Sequence, residues 1–132
     1  MTVQELKSAF ETAYGKAADA VYFSPGRVNL IGEHTDYNGG AVFPCALSFG
    51  TYLLLAKNDQ NVINFKSLNQ TEVTSLGFDQ LTTPLNKSWV NYPLGVIAQF
   101  IKRGIAITQG YDLLIWGNVP NGAGLSSSAA LE

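Results

Sequence analysis

Apolar side chains recur at helical intervals at the start of the chain, where Val3, Leu6, Phe10 and Tyr14 fall on one stripe. Thr2 and Glu5 have the spacing of a capping box, and Gly15 supplies a stop. This pattern predicts an amphipathic helix over residues 3–14. From Ala20 the apolar residues run together: a strand is expected at Ala20–Phe23, ended by a turn at Ser24-Pro25-Gly26, with Val28–Ile31 extended and buried. Asn38-Gly39-Gly40 reads as a second turn. Two apolar runs follow at Ala41–Phe49 and Thr51–Ala56, then a strand at Val62–Leu68 across a hairpin loop at Asn58–Asn61. Glu72–Gly77 is a candidate edge strand, and the polar stretch Asp79–Ser88, which contains Pro84, reads as a loop.

Helical periodicity returns over Trp89–Arg103, with Val90, Leu94, Ile97 and Ile101 on one face, Pro93 in the first turn, and Lys102, Arg103 and Gly104 closing the end. Tyr111–Trp116 is a strand, Gly117–Gly124 a loop, and Leu125 opens a further helix. Most strands precede the central helix instead of alternating with helices, which predicts an α+β layer.

The bulk properties narrow the function. The chain has 132 residues, 46% apolar and 14% charged, with eight basic and ten acidic side chains, so it reads as one globular domain with a net charge of −2. There is no basic stripe for nucleic acid and no lysine run for a membrane surface. The first residues carry Glu5 and Glu11 and no continuous apolar stretch, so neither a leader nor an anchor is expected, and the default compartment is the cytoplasm. Cys45 is the single cysteine, which rules out an intrachain disulfide; between Pro44 and Ala46 it reads as a small buried hydrophobe ahead of a catalytic thiol.

Two segments carry chemistry. Pro120-Asn121-Gly122-Ala123-Gly124-Leu125-Ser126-Ser127-Ser128-Ala129-Ala130 joins a strand to a helix start through small residues. Such a loop lets backbone N–H groups approach a polyanion, while its hydroxyls donate to phosphate oxygens or ligand Mg²⁺. No lysine follows the second glycine, so it is not a Walker A loop. The plainer alternative is a tight turn into a helix capped by Ser126. The other segment, Ser24 to Gly40, crowds Arg27, Glu33, His34 and Asp36 between apolar neighbours. Carboxylates suit sugar hydroxyls, and an arginine suits the charge of a transferring phosphoryl group. The alternatives are a surface ion pair from Arg27 to Asp36 or Glu33, a satisfied loop histidine, and a weak metal site at Glu33-x-x-Asp36.

Taken together, the segments carry a resemblance. Gly26-Arg27-Val28-Asn29-Leu30-Ile31-Gly32-Glu33-His34-Thr35-Asp36-Tyr37-Asn38-Gly39-Gly40 resembles the signature of galactokinases, and Pro120–Ala130 is similar to the phosphate loop of the GHMP kinase superfamily. The resemblance implies the N-terminal part of a GHMP kinase, with an incomplete ribosomal-protein-S5 domain-2-like α+β fold and a second domain elsewhere. It implies ATP-dependent phosphorylation of the C1 hydroxyl of galactose. Glu33, His34 and Asp36 would bind the sugar, and Arg27 would stabilise charge beside the reacting hydroxyl. Gly122, Gly124, Leu125, Ser126, Ser127 and Ser128 would wrap the triphosphate, with Ser127 or Ser128 touching Mg²⁺. Trp89 would lie near the adenine or else pack in the core. No carboxylate here matches the family's catalytic aspartate, so the 132 residues are expected to be inactive alone. The rival readings are an N-acetylgalactosamine kinase, a galactose- and ATP-binding regulator, and an inactive remnant. The intact serine run favours an enzyme over a regulator.

Overall fold

The computed structural model describes residues 1–119 and 127–132. Helix α1 spans Val3–Tyr14. Its capping box forms as the pattern predicts: Glu5 N donates to the Thr2 hydroxyl, Thr2 N donates to the Glu5 carboxylate, and Gly15 ends the helix at φ 70. Five strands follow, β1 (Ala20–Asn29), β2 (Pro44–Asn58), β3 (Val62–Ser67), β4 (Thr74–Gly77) and, after α2 (Asn91–Lys102), β5 (Gly110–Gly117). A short α3 (Ser127–Leu131) comes last. This is the expected α+β arrangement.

One sheet holds all five strands in the order β1-β2-β5-β3-β4. β5 lies antiparallel to β2 and parallel to β3. Residues 58–61 therefore do not close a hairpin, because β5 slides between the two strands they connect. Gly110 makes that insertion possible, since a Cβ there would lie 2.2 Å from Asn58 Oδ1 and 2.9 Å from Val62 O.

Both sheet faces are covered, which explains the unbroken apolar runs. Leu54, Ala56 and Leu114 meet Leu6 and Phe10 of α1 on one face. On the other, Ile63, Phe65, Leu76 and Leu113 pack with Leu81, Val90 and Leu94. α2 begins at Asn91, two residues later than the periodicity suggests. The side chain of Asn91 clamps the preceding loop, accepting from Leu85 N at 2.8 Å and donating to Leu85 O at 2.7 Å.

The Ser24-Pro25-Gly26 turn does not form. β1 runs straight through it, and Pro25 is tolerated because β1 is an edge strand. The irregularity lies opposite. Between the pairs Pro25↔Gly50 and Arg27↔Ala46, two steps along β1 match four along β2, so β2 bulges at residues 47–49. The two runs Ala41–Phe49 and Thr51–Ala56 are one strand from Pro44 onward, passing through Gly50. Beyond the bulge no layer among the described residues covers the β1–β2 ribbon, so Cys45 is exposed, contrary to the buried position expected for it. Among the described residues no helix is long and apolar enough to cross a membrane.

Among the described residues Asp112 is the buried charge. Its Oδ1 accepts from Asn58 Nδ2 at 2.9 Å and Asn64 Nδ2 at 2.6 Å, and Lys16 Nζ lies 2.7 Å from Oδ2. Burial alone would raise its carboxyl above 3.8, but the hydrogen bonds from Asn64, Lys16 and Asn58, together with the lysine charge, hold it below. A carboxyl with a depressed folded-state value stabilises the fold above its unfolded value, and that contribution is lost as pH falls through the folded value. Asp112→Ala should lower the unfolding free energy by about 2–3 kcal/mol at neutral pH, measured by denaturant melts. Between neutral pH and about pH 2 the variant should also lose stability less steeply than the wild type.

Candidate active site

The loop between β1 and β2 is built from its own backbone. Leu30 N donates to Phe43 O at 2.9 Å, and Phe43 N to Ile31 O at 3.0 Å, closing its neck. Inside, the Thr35 hydroxyl lies 2.7 Å from Gly32 O and 3.0 Å from Ala41 O, and Gly40 N donates to Thr35 O at 2.7 Å. Asn29 Nδ2 donates to Gly32 O at 2.9 Å. Gly32 is at φ 101, and a Cβ there would lie 2.5 Å from Ala41 O, so only glycine fits the crossing. Asp36–Asn38 then forms a single 3-10 turn, stopped by Gly39 at φ 75.

This folding brings Arg27, Glu33, His34 and Asp36 to the wall of one cavity of about 220 Å³, with Asn29, Gly32, Tyr37 and Val42. Arg27 comes from β1, level with the far side of the bulge, and the others come from the loop. All four side chains are exposed to solvent. Asn29 and Tyr37 were not singled out from the sequence. Asn29 reads as an ordinary strand residue and Tyr37 as an apolar ring, and their signal is only their place inside the polar cluster.

A second cavity of about 300 Å³ is lined by Trp89, Ser127, Ser128, Thr51, Asn69, Tyr92 and Gly117. The two predicted hydroxyls therefore share a hollow with the predicted tryptophan. Trp89 also packs against the core cluster of Val90 and Leu94, and its buried Nε1 has no hydrogen-bond partner among the described residues. Gly122, Gly124, Leu125 and Ser126 lie outside the described residues. Among the described residues, no group of three or more His, Cys, Asp or Glu side chains is arranged to hold a metal ion.

The backbones of β2 and the segment after β5 are joined at Gly50. Gly50 N donates to Asn118 Oδ1 at 2.8 Å, and Asn118 N donates to Gly50 O at 3.1 Å. The strand that follows the β1–β2 loop is thus tied to the residue just after β5.

Residues 8–57 match the galactokinase galactose-binding signature, and residues 91–132 match the GHMP kinases N terminal domain. A Streptococcus mutans galactokinase is 49% identical over 134 residues, taking in 100% of this chain and 34% of that protein. A Bacillus subtilis galactokinase is 47% identical over 132 residues, taking in 98% of this chain and 34% of its own length. The crystal structure of Lactococcus lactis galactokinase complexed with galactose matches at a TM-score of 0.90 and 38% identity, covering 100% of this chain and 35% of that one. Methanococcus jannaschii mevalonate kinase shares the fold, at a TM-score of 0.75 and 20% identity over 85% of this chain and 36% of that one. The chain spans about a third of the length of the curated relatives it matches.

The loop geometry has a testable consequence. Thr35→Val should cost about 1 kcal/mol and speed hydrogen exchange at the Leu30, Gly40 and Phe43 amides. Gly32→Ala should do more, opening the loop while leaving exchange in β5 unchanged.

Proposed function

We propose, since the chain belongs to the galactokinase family of GHMP kinases, that its 220 Å³ cavity binds galactose for ATP-dependent phosphorylation of the C1 hydroxyl. The observation that carries the reading is the convergence of Arg27, Glu33, His34 and Asp36 on one solvent-facing hollow, within a segment that matches the galactose-binding signature. A sugar offers hydroxyls that both donate and accept. Glu33 and Asp36 supply acceptors, and His34 and Arg27 supply donors. Arg27 is also the group able to stabilise charge that builds up as the phosphoryl group transfers.

ATP would approach the second hollow. Backbone N–H groups of Gly122, Gly124, Leu125 and Ser126 would meet the phosphates, and the Trp89 ring would flank the adenine. The hydroxyls of Ser127 and Ser128 are hard oxygen donors of the kind that suits Mg²⁺, and one of them would hold it. When bound, Mg²⁺ neutralises charge on the phosphates. Phosphoryl transfer rests on positioning and charge neutralisation from several parts at once. The family's base has no counterpart among these carboxylates, so the 132 residues alone should yield no galactose 1-phosphate.

Calorimetry with galactose tests the sugar site. Saturable binding is expected, with Glu33→Ala and Asp36→Ala each weakening it roughly 10- to 100-fold, the range for hydrogen bonds to charged groups. N-acetylgalactosamine should bind more weakly than galactose. Unchanged affinity in both variants would refute the assignment, as would a wild type that does not bind.

A further inference from the structure

His34 lies at φ 56, in the left-handed region that side chains ordinarily avoid. Two residues of the 3-10 turn that follows hold it there. Asn38 Nδ2 donates to the His34 carbonyl at 2.8 Å, which fixes the backbone. Tyr37 Oη lies 2.5 Å from His34 Nδ1, with the two rings edge to face at 72° and 6.0 Å, which fixes the imidazole. With Nδ1 engaged by Tyr37, Nε2 is the ring nitrogen left for a ligand in the cavity that both residues line.

We infer that Tyr37 is a positioning residue for His34: its hydroxyl donates to Nδ1, so the neutral ring carries its proton on Nε2 and presents that N–H to a sugar hydroxyl. The inference rests on the sugar-binding reading above. The direction of the bond follows from the partners, because a phenol is a better donor than acceptor and a bare imidazole nitrogen is a good acceptor. The cavity's composition points the same way. Glu33 and Asp36 offer only acceptors once ionised, and the opposite tautomer would add a third acceptor at Nε2. With the proton on Nε2, the ring gives the sugar a neutral donor beside the carboxylates. Tyr37 is 71% exposed, so it has almost no packing role, and Tyr37→Phe should leave the fold intact.

His34 is the chain's single histidine, so its ring nitrogens can be read by ¹⁵N NMR without assignment. In the ligand-free protein, at a pH where the ring is neutral, the expected result is a protonated Nε2 and a hydrogen-bonded, unprotonated Nδ1. In Tyr37→Phe the Nδ1 signal should move to the position of a nitrogen without that bond, with an unchanged amide spectrum confirming the fold. A protonated Nδ1 in the wild type, or identical imidazole spectra in the two proteins, would overturn the inference. The second arm is a galactose-binding cycle. Tyr37→Phe should weaken binding roughly 3- to 10-fold when His34 is present, the size of one ordinary hydrogen bond, and should have no further effect in His34→Ala. Additive losses would mean that Tyr37 acts on the sugar directly and would sink the positioning role. A wild type that binds no galactose would refute the sugar site, while the NMR arm would still decide the Tyr37–His34 pair.

Discussion

The insertion of β5 between β2 and β3 is the constraint on which the domain depends. A strand that enters a sheet from far along the chain must satisfy neighbours on both edges, one antiparallel and one parallel. Asp112, near the start of β5, ties that strand to the end of β2 and to the first half of β3. Its carboxylate gathers Asn58 from β2, Asn64 from β3 and Lys16 from the segment after α1. Charge buried at this depth is costly unless it is paired and hydrogen-bonded, and here two amides and an ammonium engage both carboxylate oxygens. Tyr14 reinforces the junction, since its hydroxyl donates to Leu113 O at 2.7 Å and Lys66 Nζ sits 4.5 Å from its ring centroid.

Of the two candidate ligand hollows, the one lined by Arg27 and His34 stands away from this centre, while the other sits against the sheet at Thr51, Ile115 and Gly117. β2 loses its β5 partner beyond Thr51 and continues with β1 alone as an uncovered ribbon that carries the β1–β2 loop, while β5 ends at Gly117 and passes into Asn118 beside Gly50. A Cβ at Gly50 would come within 2.2 Å of Ser24 O and 2.7 Å of the Phe23 ring, so β1 passes too close at this point to admit a side chain. The ribbon leaves Leu30, Ile31, Phe43 and Phe49 exposed, in contrast to the apolar residues sealed beneath α1 and α2. The cluster of Arg27, Glu33, His34 and Asp36 therefore lies apart from the packed core, and Gly50–Asn118 is a hydrogen-bonded link between the base of its ribbon and the end of β5.

The parts of this structure that rest on neighbours in sequence were legible there. Thr2 and Glu5 named the start of α1, and the spacing of Leu94, Ile97 and Ile101 named α2. The dense run from Arg27 to Asp36 was visible as a polar cluster, and its members line one cavity because all lie within one short loop and the strand before it. The parts that depend on distant residues were not legible. Nothing near Asn58–Asn61 announces that a strand from residue 110 onward will separate the two arms of an apparent hairpin. The polar cluster around Asp112 was not legible because its partners lie 48 and 54 positions away. Pro25 read as a turn because its tolerance comes from being on the sheet edge, which is a property of topology. Cys45 read as buried because its apolar neighbours suggested a core that does not extend over that end of the ribbon.

The strand order also sets a timetable for the chain as it leaves the ribosome. β2 and β3 emerge early, yet each must wait with an open edge until residues 110–117 are made, because the ladder Ile63↔Tyr111 to Ser67↔Ile115 cannot close before then. During that interval the runs of leucine in β2 and the rim of β3 are surfaces that another nascent chain can pair with. Residues 59–109 are therefore a delay as well as a connection, and the pace at which they are synthesised governs how long the sheet remains half built.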